Sequence, residues 1–553
     1  MNQLATSTML RTPLFSKLIL LLLFVTKCLG QNENQKTAAE YRITTLPGLP
    51  SGYDFEHYAG HIGINETING HLFFWLFKSQ VPNSKKLIIW LNGGPGCSSL
   101  DGVFLENGPL KALKTGKLLV EDNSWHKHAN MLFLDQPIGT GYSYGDDAGY
   151  ARTMDEVTNG FVVFLSRFFE VFPDLQLNDI YLAGESFAGV YIPYLADGIL
   201  TYNDKPKNRI KRNLKGLVIG NGWIDPQTQY NSLVEYGYDR GLIKENRKDH
   251  IDSLKTSCNE LFEKNGDRIR FEPCEEILET MLTDSLTDGK CINQFDIRLK
   301  DSYPECGMNW PAHLLEMYDY LKSDVVVTAL HAEAKQVPWR ECNDLVNTIL
   351  GDDTSAPPKD LLPGLLARVP ILLFYGDQDL VCNHIGIEKA LQKIEWNGAK
   401  GFGNDMAESW FVNDKLVGMH SSARNLTYLR IFNASHMVPV DKRNESYAMI
   451  NWFMGIEDAS YKVNIGELSK TLPTNNAGLD EQSPPKDLDM SKPNNTADGL
   501  AIGLIVGMIS MAAFVGVFLG WYIKRRQYTI LAPQNGQDSE LTDFIIDDED
   551  LSD

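Results

Sequence analysis

Ile180-Tyr181-Leu182-Ala183-Gly184-Glu185-Ser186-Phe187-Ala188-Gly189-Val190-Tyr191 passes from a short apolar run through a tight turn into a second apolar stretch. A serine at such a strand-to-helix elbow is exposed at the end of its strand, where its hydroxyl can attack a substrate. A serine hydroxyl is a weak nucleophile at neutral pH, so the chemistry needs a base and a group to orient that base. Both follow in the chain. Tyr375-Gly376-Asp377-Gln378-Asp379 ends the apolar run Ile371 to Phe374, and Ser435-His436-Met437 follows Thr427 to Phe432. Ser186 is thus expected as nucleophile, His436 as base and Asp379 as the orienting acid. Each lies at the carboxyl end of a predicted strand, the edge where α/β sheets gather their catalytic groups. The alternative for Ser186 alone is a helix cap without chemistry.

The elbow departs from the strict GxSxG pattern, because Ala188 holds its last position and Gly189 comes one residue later. A second motif supports the reading. Trp90-Leu91-Asn92-Gly93-Gly94-Pro95-Gly96-Cys97-Ser98-Ser99 follows the predicted strand Lys86 to Trp90, and its glycines suit a loop that approaches a ligand closely. The order Ser, Asp, His and an early glycine loop are those of an α/β-hydrolase fold, with oxyanion donors expected from the amides of Phe187 and Gly94.

Three strings besides the triad carry a closer likeness: Asn92 to Ser99, Phe104-Leu105-Glu106-Asn107-Gly108-Pro109, and Leu134-Asp135-Gln136-Pro137-Ile138-Gly139-Thr140-Gly141-Tyr142-Ser143-Tyr144. With them the chain resembles the serine carboxypeptidases over roughly residues 40 to 460. The resemblance implies that Asn92 and the Gly93 amide bind the terminal carboxylate of a peptide. It also implies that Glu106 and Glu185 form a pair sharing a proton for the same purpose. Two adjacent carboxyls resist double ionisation, so the pair is expected to titrate as a unit and peptide binding to weaken as its proton leaves. The resemblance implies no metal and no cofactor.

Arg11 and Lys17 precede the apolar run Leu18 to Val25 and Cys28-Leu29-Gly30, a pattern expected of a signal peptide over residues 1–30. Its removal leaves seven cysteines: Cys97, Cys258, Cys274, Cys291, Cys306, Cys342 and Cys382. In an oxidising lumen six of them are expected to form three bridges, leaving one thiol. The resemblance implies that Cys97 joins Cys342 and that Cys382 is free. The other four allow three connectivities, and no close pair has zinc spacing.

The organisation expected from these features is a hydrolase core over 31–224 and 361–459, interrupted at 225–360 by a mainly helical cap. There strand signals thin out, and Arg247 to Leu261 and Glu275 to Leu282 show helical spacing. Trp310, Trp339 and Tyr318 of this insertion are read as core in preference to cleft lining. Residues 460–497 lack apolar periodicity and read as a lumenal stalk. Residues 498–523 form an apolar stretch long enough to span a bilayer, and Lys524-Arg525-Arg526 after it predict a cytosolic side. The tail at 524–553 carries Tyr528-Thr529-Ile530-Leu531, the form of a sorting signal for cytosolic machinery, and eight acidic residues among its last sixteen. Sequons stand at Asn65, Asn425, Asn433, Asn444 and Asn494; Asn433 is disfavoured because a glycan there would crowd His436.

A formal charge of −21 over 553 residues argues against a nucleic-acid partner, which requires a basic face. Within the family this topology is similar to membrane-anchored, precursor-processing members of the fungal late Golgi, which implies peptide and precursor-protein substrates ending in Lys or Arg. Asp405 and Glu408 are candidates for pairing with such side chains. Met437, apolar beside the histidine, keeps a broad or hydrophobic preference open. An esterase or acyltransferase on the same scaffold, and a catalytically silent membrane receptor, are the remaining alternatives.

Overall fold

The computed structural model describes residues 36–466, apart from 209, 267, 336 and 404–406. The expected signal peptide, the transmembrane stretch 498–523, the tail, Asp405 and Asn494 lie outside the described residues. No helix among the described residues is long and apolar enough to cross a membrane.

Eleven strands form one sheet: β1 (His57–Asn65), β2 (Gly70–Phe77), β3 (Lys86–Leu91), β4 (Asn130–Leu134), β5 (Asp179–Glu185), β6 (Asn213–Gly220), β7 (Ile371–Gly376), β8 (Glu408–Val412), β9 (Lys415–Ala423), β10 (Leu426–Ile431) and β11 (Val463–Gly466). Their order is β1-β2-β4-β3-β5-β6-β7-β10-β9-β8-β11. The stretch from β4 to β10 is parallel and the strands outside it pair antiparallel. Parallel strands are buried on both faces and therefore read as unbroken apolar runs. The antiparallel β2 is covered on both faces as well: Leu72, Phe74 and Leu76 enter one core with the helices Met154–Val171 and Ala188–Asp204, while Phe73, Trp75 and Phe77 enter a second core with the helix Arg443–Phe453.

The register aligns the catalytic edge. Leu91 pairs with Gly184, Glu185 with Gly220, and Gly376 with Ile431. The residues that follow these ends, Asn92, Ser186, Asn221, Asp377 to Asp379 and the loop to His436, therefore gather at one side of the sheet.

Between β6 and β7 lie the helices Pro226–Asp239, Lys248–Asn265 and Glu272–Asp284, the hairpin Lys290–Asn293 with Asp296–Ser302, and, among the described residues, four further short α-helices. Tyr230, Leu233, Phe262, Ile277 and both cysteines of two bridges build a third core there. Cys97 is bonded to Cys342, Cys258 to Cys274 and Cys291 to Cys306, while Cys382 is a buried free thiol. Trp339 is 1% exposed and belongs to the second core.

Two expectations change. The stretch from 460, read as stalk, begins with β11, which pairs antiparallel to β8 from Ser409–Gly466 to Val412–Val463. An edge strand is held by main-chain bonds rather than burial, and Ile465 is 39% exposed, so apolar periodicity was absent. Asn433, disfavoured as a sequon for its place at the end of a predicted core strand before His436, lies exposed just beyond β10 with φ 54°. Asn65, Asn425 and Asn444 are exposed as well.

Candidate active site

Ser186 has φ 61°, a left-handed conformation that costs a non-glycine residue about 1–3 kcal/mol and is retained when the surroundings enforce it. Three hydrogen bonds enforce it here. The Ser186 amide donates to Gly220 O (3.1 Å), and its carbonyl accepts from the amides of Gly189 (2.9 Å) and Trp223 (3.0 Å). The displaced glycine of the elbow has a steric reason, for a Cβ on Gly189 would stand 2.6 Å from Trp223 N and 2.8 Å from Gly222 Cα. Ala188 at the preceding position is fully buried and tolerates its methyl.

His436 and Asp379, 3% and 0% exposed, are joined by a 2.7 Å bond between Nδ1 and Oδ2. Asp379 also accepts from Asn221 Nδ2 (2.8 Å), the Val381 amide (3.0 Å) and the Cys382 amide (3.2 Å). These donors fix the carboxylate, which in turn fixes the imidazole with Nε2 as the nitrogen left to accept a proton. The Asp379, Cys382 and His436 ligand atoms lie within 4.8 Å of one another. Burial, followed by the charge of Asp379, pushes the Cys382 thiol well above its ordinary value, and a metal ligand must be a thiolate.

Behind the elbow, Asn92 Oδ1 accepts from Trp90 Nε1 (2.8 Å) and the Gly102 amide (3.3 Å), which orients its amide group. Its Nδ2 then donates to Glu106 Oε1 (2.9 Å) and Glu185 Oε1 (3.2 Å). Both carboxyls are buried, at 0% and 2% exposure. Burial, then the neighbouring charge of Glu106, raises Glu185 well above the usual carboxyl range. Glu106 is raised by burial against the lowering effect of its bonds to Glu185 and Asn92. Gly93 packs against the elbow so closely that a Cβ would lie 2.5 Å from the Phe187 amide nitrogen. Gly94 follows at φ 106°.

A cavity of about 390 Å³ opens beside Ser186, lined by Gly94, Ser186, Phe187, Trp223, Tyr230, Leu233, Arg270, Glu275, Leu278, Val381 and Cys382 among others. Asn92, Glu106 and Glu185 do not line it. Glu275 is held by the Tyr230 hydroxyl and by Arg270 Nε at 3.3 Å. Trp310, Trp339 and Tyr318 do not line the cavity either.

Sequence reasoning did not find Asp101 and Glu341. Asp101 is 2% exposed with an unpartnered Oδ1, raised well above its usual value by burial and then by the charges of Glu341, Glu106 and Asp135. Glu341 accepts from the Tyr318 hydroxyl (2.6 Å). The signal available was an aspartate inside the apolar turn Leu100 to Phe104. Glu408, by contrast, is not brought to the cleft. It pairs with His420, two strands away from β10, and both the His420 contact (3.4 Å) and the register turn it from the catalytic edge.

Residues 47–455 match the family model for serine carboxypeptidases. A pheromone-processing carboxypeptidase of Pyricularia oryzae is 43% identical over 438 residues, 77% of this chain and 69% of that protein. One from Tuber melanosporum is 41% identical over 483 residues, 84% and 76% of the two chains. The crystal structure of a prohormone-processing carboxypeptidase from Saccharomyces cerevisiae, KEX1(delta)p, matches with a TM-score of 0.71 at 34% identity, covering 78% of this chain and 99% of that one. By the match over residues 47–455 and the identity to these relatives, the chain belongs to the serine carboxypeptidase family and is a peptide hydrolase of that class.

Proposed function

We propose that the protein removes C-terminal Lys and Arg residues from peptides and precursor proteins in the late secretory pathway, by an acyl-enzyme mechanism. His436 takes the proton of Ser186 as the serine oxygen attacks the last peptide carbonyl, and the Phe187 and Gly94 amides receive the oxyanion. His436 then protonates the leaving amino acid. A water deprotonated by His436 hydrolyses the ester and restores Ser186.

The observation that carries the exopeptidase reading is the buried array of Asn92, Glu106 and Glu185. A terminal carboxylate enters by taking over one of the Asn92 Nδ2 hydrogens and the proton held by the glutamate pair, with the Gly93 amide as a further donor. The names of the fungal relatives agree with a processing role. The signal-peptide pattern, the apolar stretch 498–523 and the basic residues after it support a type I anchor in the late Golgi, with the tail available to sorting machinery.

Full-length protein purified in detergent is incubated with peptides identical except for a C-terminal Lys, Arg, Leu or amide, and residue release is followed by mass spectrometry from pH 4.5 to 8. The expected result is release of Lys and Arg, none from the amide, and declining efficiency toward alkaline pH. Preferential release of Leu removes the basic specificity and leaves the class. Equal cleavage of the amide removes the carboxylate reader.

A further inference from the structure

The hairpin of the insertion reaches the catalytic edge and bonds to main chain on both sides of Asp379 and to His436 itself. Gln294 O accepts from the Leu380 amide (3.1 Å), and the Ile297 amide donates to Gln378 O (3.0 Å). Phe295 O accepts from the His436 amide (2.9 Å), and the two rings lie 5.2 Å apart. An Asx turn shapes this tip, with Asn293 Oδ1 accepting from the amides of Phe295 (2.9 Å) and Asp296 (3.2 Å). The Cys291–Cys306 bond closes the base of the hairpin, and the Gln294 amide donates to Cys306 O (2.9 Å).

Arg298 locks the same hairpin to the histidine loop. Its Nε and Nη2 grip buried Asp296 at 2.7 Å each, its Nη1 donates to Asn433 O (2.9 Å), and its Nη2 reaches Asp441 Oδ2 (3.1 Å). Asp441 Oδ2 in turn accepts from the Ser435 amide (2.7 Å), the residue before His436. The guanidinium thus spans two carboxylates and a carbonyl with its fixed fork, a geometry that a single ammonium cannot reproduce. Loops displaced by about 1 Å can cost an enzyme two orders of magnitude in rate.

We propose that the hairpin Lys290–Ser302 is a clamp that sets the positions of His436 and Asp379, and that Arg298 is its positioning residue. The inference rests on His436 acting as the base of Ser186.

The test compares Arg298→Ala, Arg298→Gln and Arg298→Lys with the wild type, as full-length protein in detergent. Three quantities are read: kcat and KM on one peptide, the second-order rate constant for labelling by diisopropyl fluorophosphate, and the melting temperature. The labelling constant reports the activation of Ser186 in folded molecules and needs no peptide. The expected result is a fall of at least tenfold in kcat and in the labelling constant for Ala and Gln, with KM within twofold and Lys between them and the wild type. If Ala does not fold, Gln keeps the side-chain volume and carries the comparison. A wild-type labelling constant in the folded Ala or Gln variant, with a change in melting temperature alone, overturns the clamp. A wild type that takes no label removes the hydrolase reading itself, and the clamp with it.

Discussion

At Glu185 and Glu106 two buried carboxyls share one amide donor, and their burial keeps a proton on the pair where an isolated glutamate would have lost it. In the proposed role the protonated form is expected to donate to a substrate carboxylate and the ionised form to repel it. Peptide KM is therefore expected to rise as pH climbs from 5 to 8. Glu185→Gln removes that dependence, because an amide donates at every pH. It is expected to raise peptide KM at pH 5 by roughly tenfold, because an amide N–H is a weaker donor to a carboxylate than a carboxylic acid O–H, a difference of about 1.4 kcal/mol. Hydrolysis of an uncharged ester should stay within twofold. Steady-state kinetics on both substrates across that range checks this, and an equal loss on the ester contradicts the assignment of Glu185 to the terminal carboxylate.

At the scale of elements, the site is a meeting of loops that leave adjacent strands. The elbow was legible because its signal is local: an apolar strand, a serine, and small residues after it. The strands Ile371 to Phe374 and Lys86 to Trp90, and the helices within Arg247 to Leu261 and Glu275 to Leu282, were legible for the same reason. The hairpin Lys290–Ser302 was not, since its register shifts between Asp296 and Lys300 and Leu299 is 43% exposed, which erases the alternation of a half-buried strand. Asp101 and Glu341 were equally hidden, because only folding brings residues so distant in sequence together. The loop after β3 is packed most tightly at Gly93, where a Cβ would press on the Phe187 amide and, at 2.7 Å, on Ser186 Cβ. Gly93→Ala is expected to displace the oxyanion donors and lower kcat by about 10²–10³. Turnover kinetics on folded protein decides it, and a kcat within threefold of wild type contradicts the placement of this loop.

Across the whole molecule, two sets of buried groups pull stability in opposite directions with pH. Burial pushes His57 and His384 down to about 3 and His61 and His126 down to about 4. The unfolded chain takes up protons on these residues first, so their contribution is full above about pH 6.5 and is lost on acidification. Asp101, Glu106, Glu185 and Glu341 are raised, and Asp135 is pushed up to about 6, in each case chiefly by burial. The folded chain holds these protons longer, so their contribution is full below about pH 4 and is lost as pH rises through the raised values. Asp135 alone loses roughly 3 kcal/mol in all as pH rises from well below 4 to well above 6. Above pH 6.5 the histidines no longer act; the acids and the repulsion of a formal charge of −21 pull downward, against the smaller opposite effect of Lys335, which burial pushes down to about 8. The melting temperature is expected to fall by about 5 °C between pH 6.5 and 8, and to fall again below pH 4. Differential scanning fluorimetry at constant ionic strength reads both limbs, and a midpoint that climbs from 6.5 to 8 contradicts the buried-acid account.

The bonds from Gln294, Phe295 and Ile297 to the loops of Asp379 and His436 bear on how substrate gains entry. A cover that swung aside would carry these bonds with it and disarm the base on every cycle. With His436 as the proposed base, the hairpin Lys290–Ser302 is expected to stand still through turnover, a fixed rim that admits an extended chain tail in preference to a folded one.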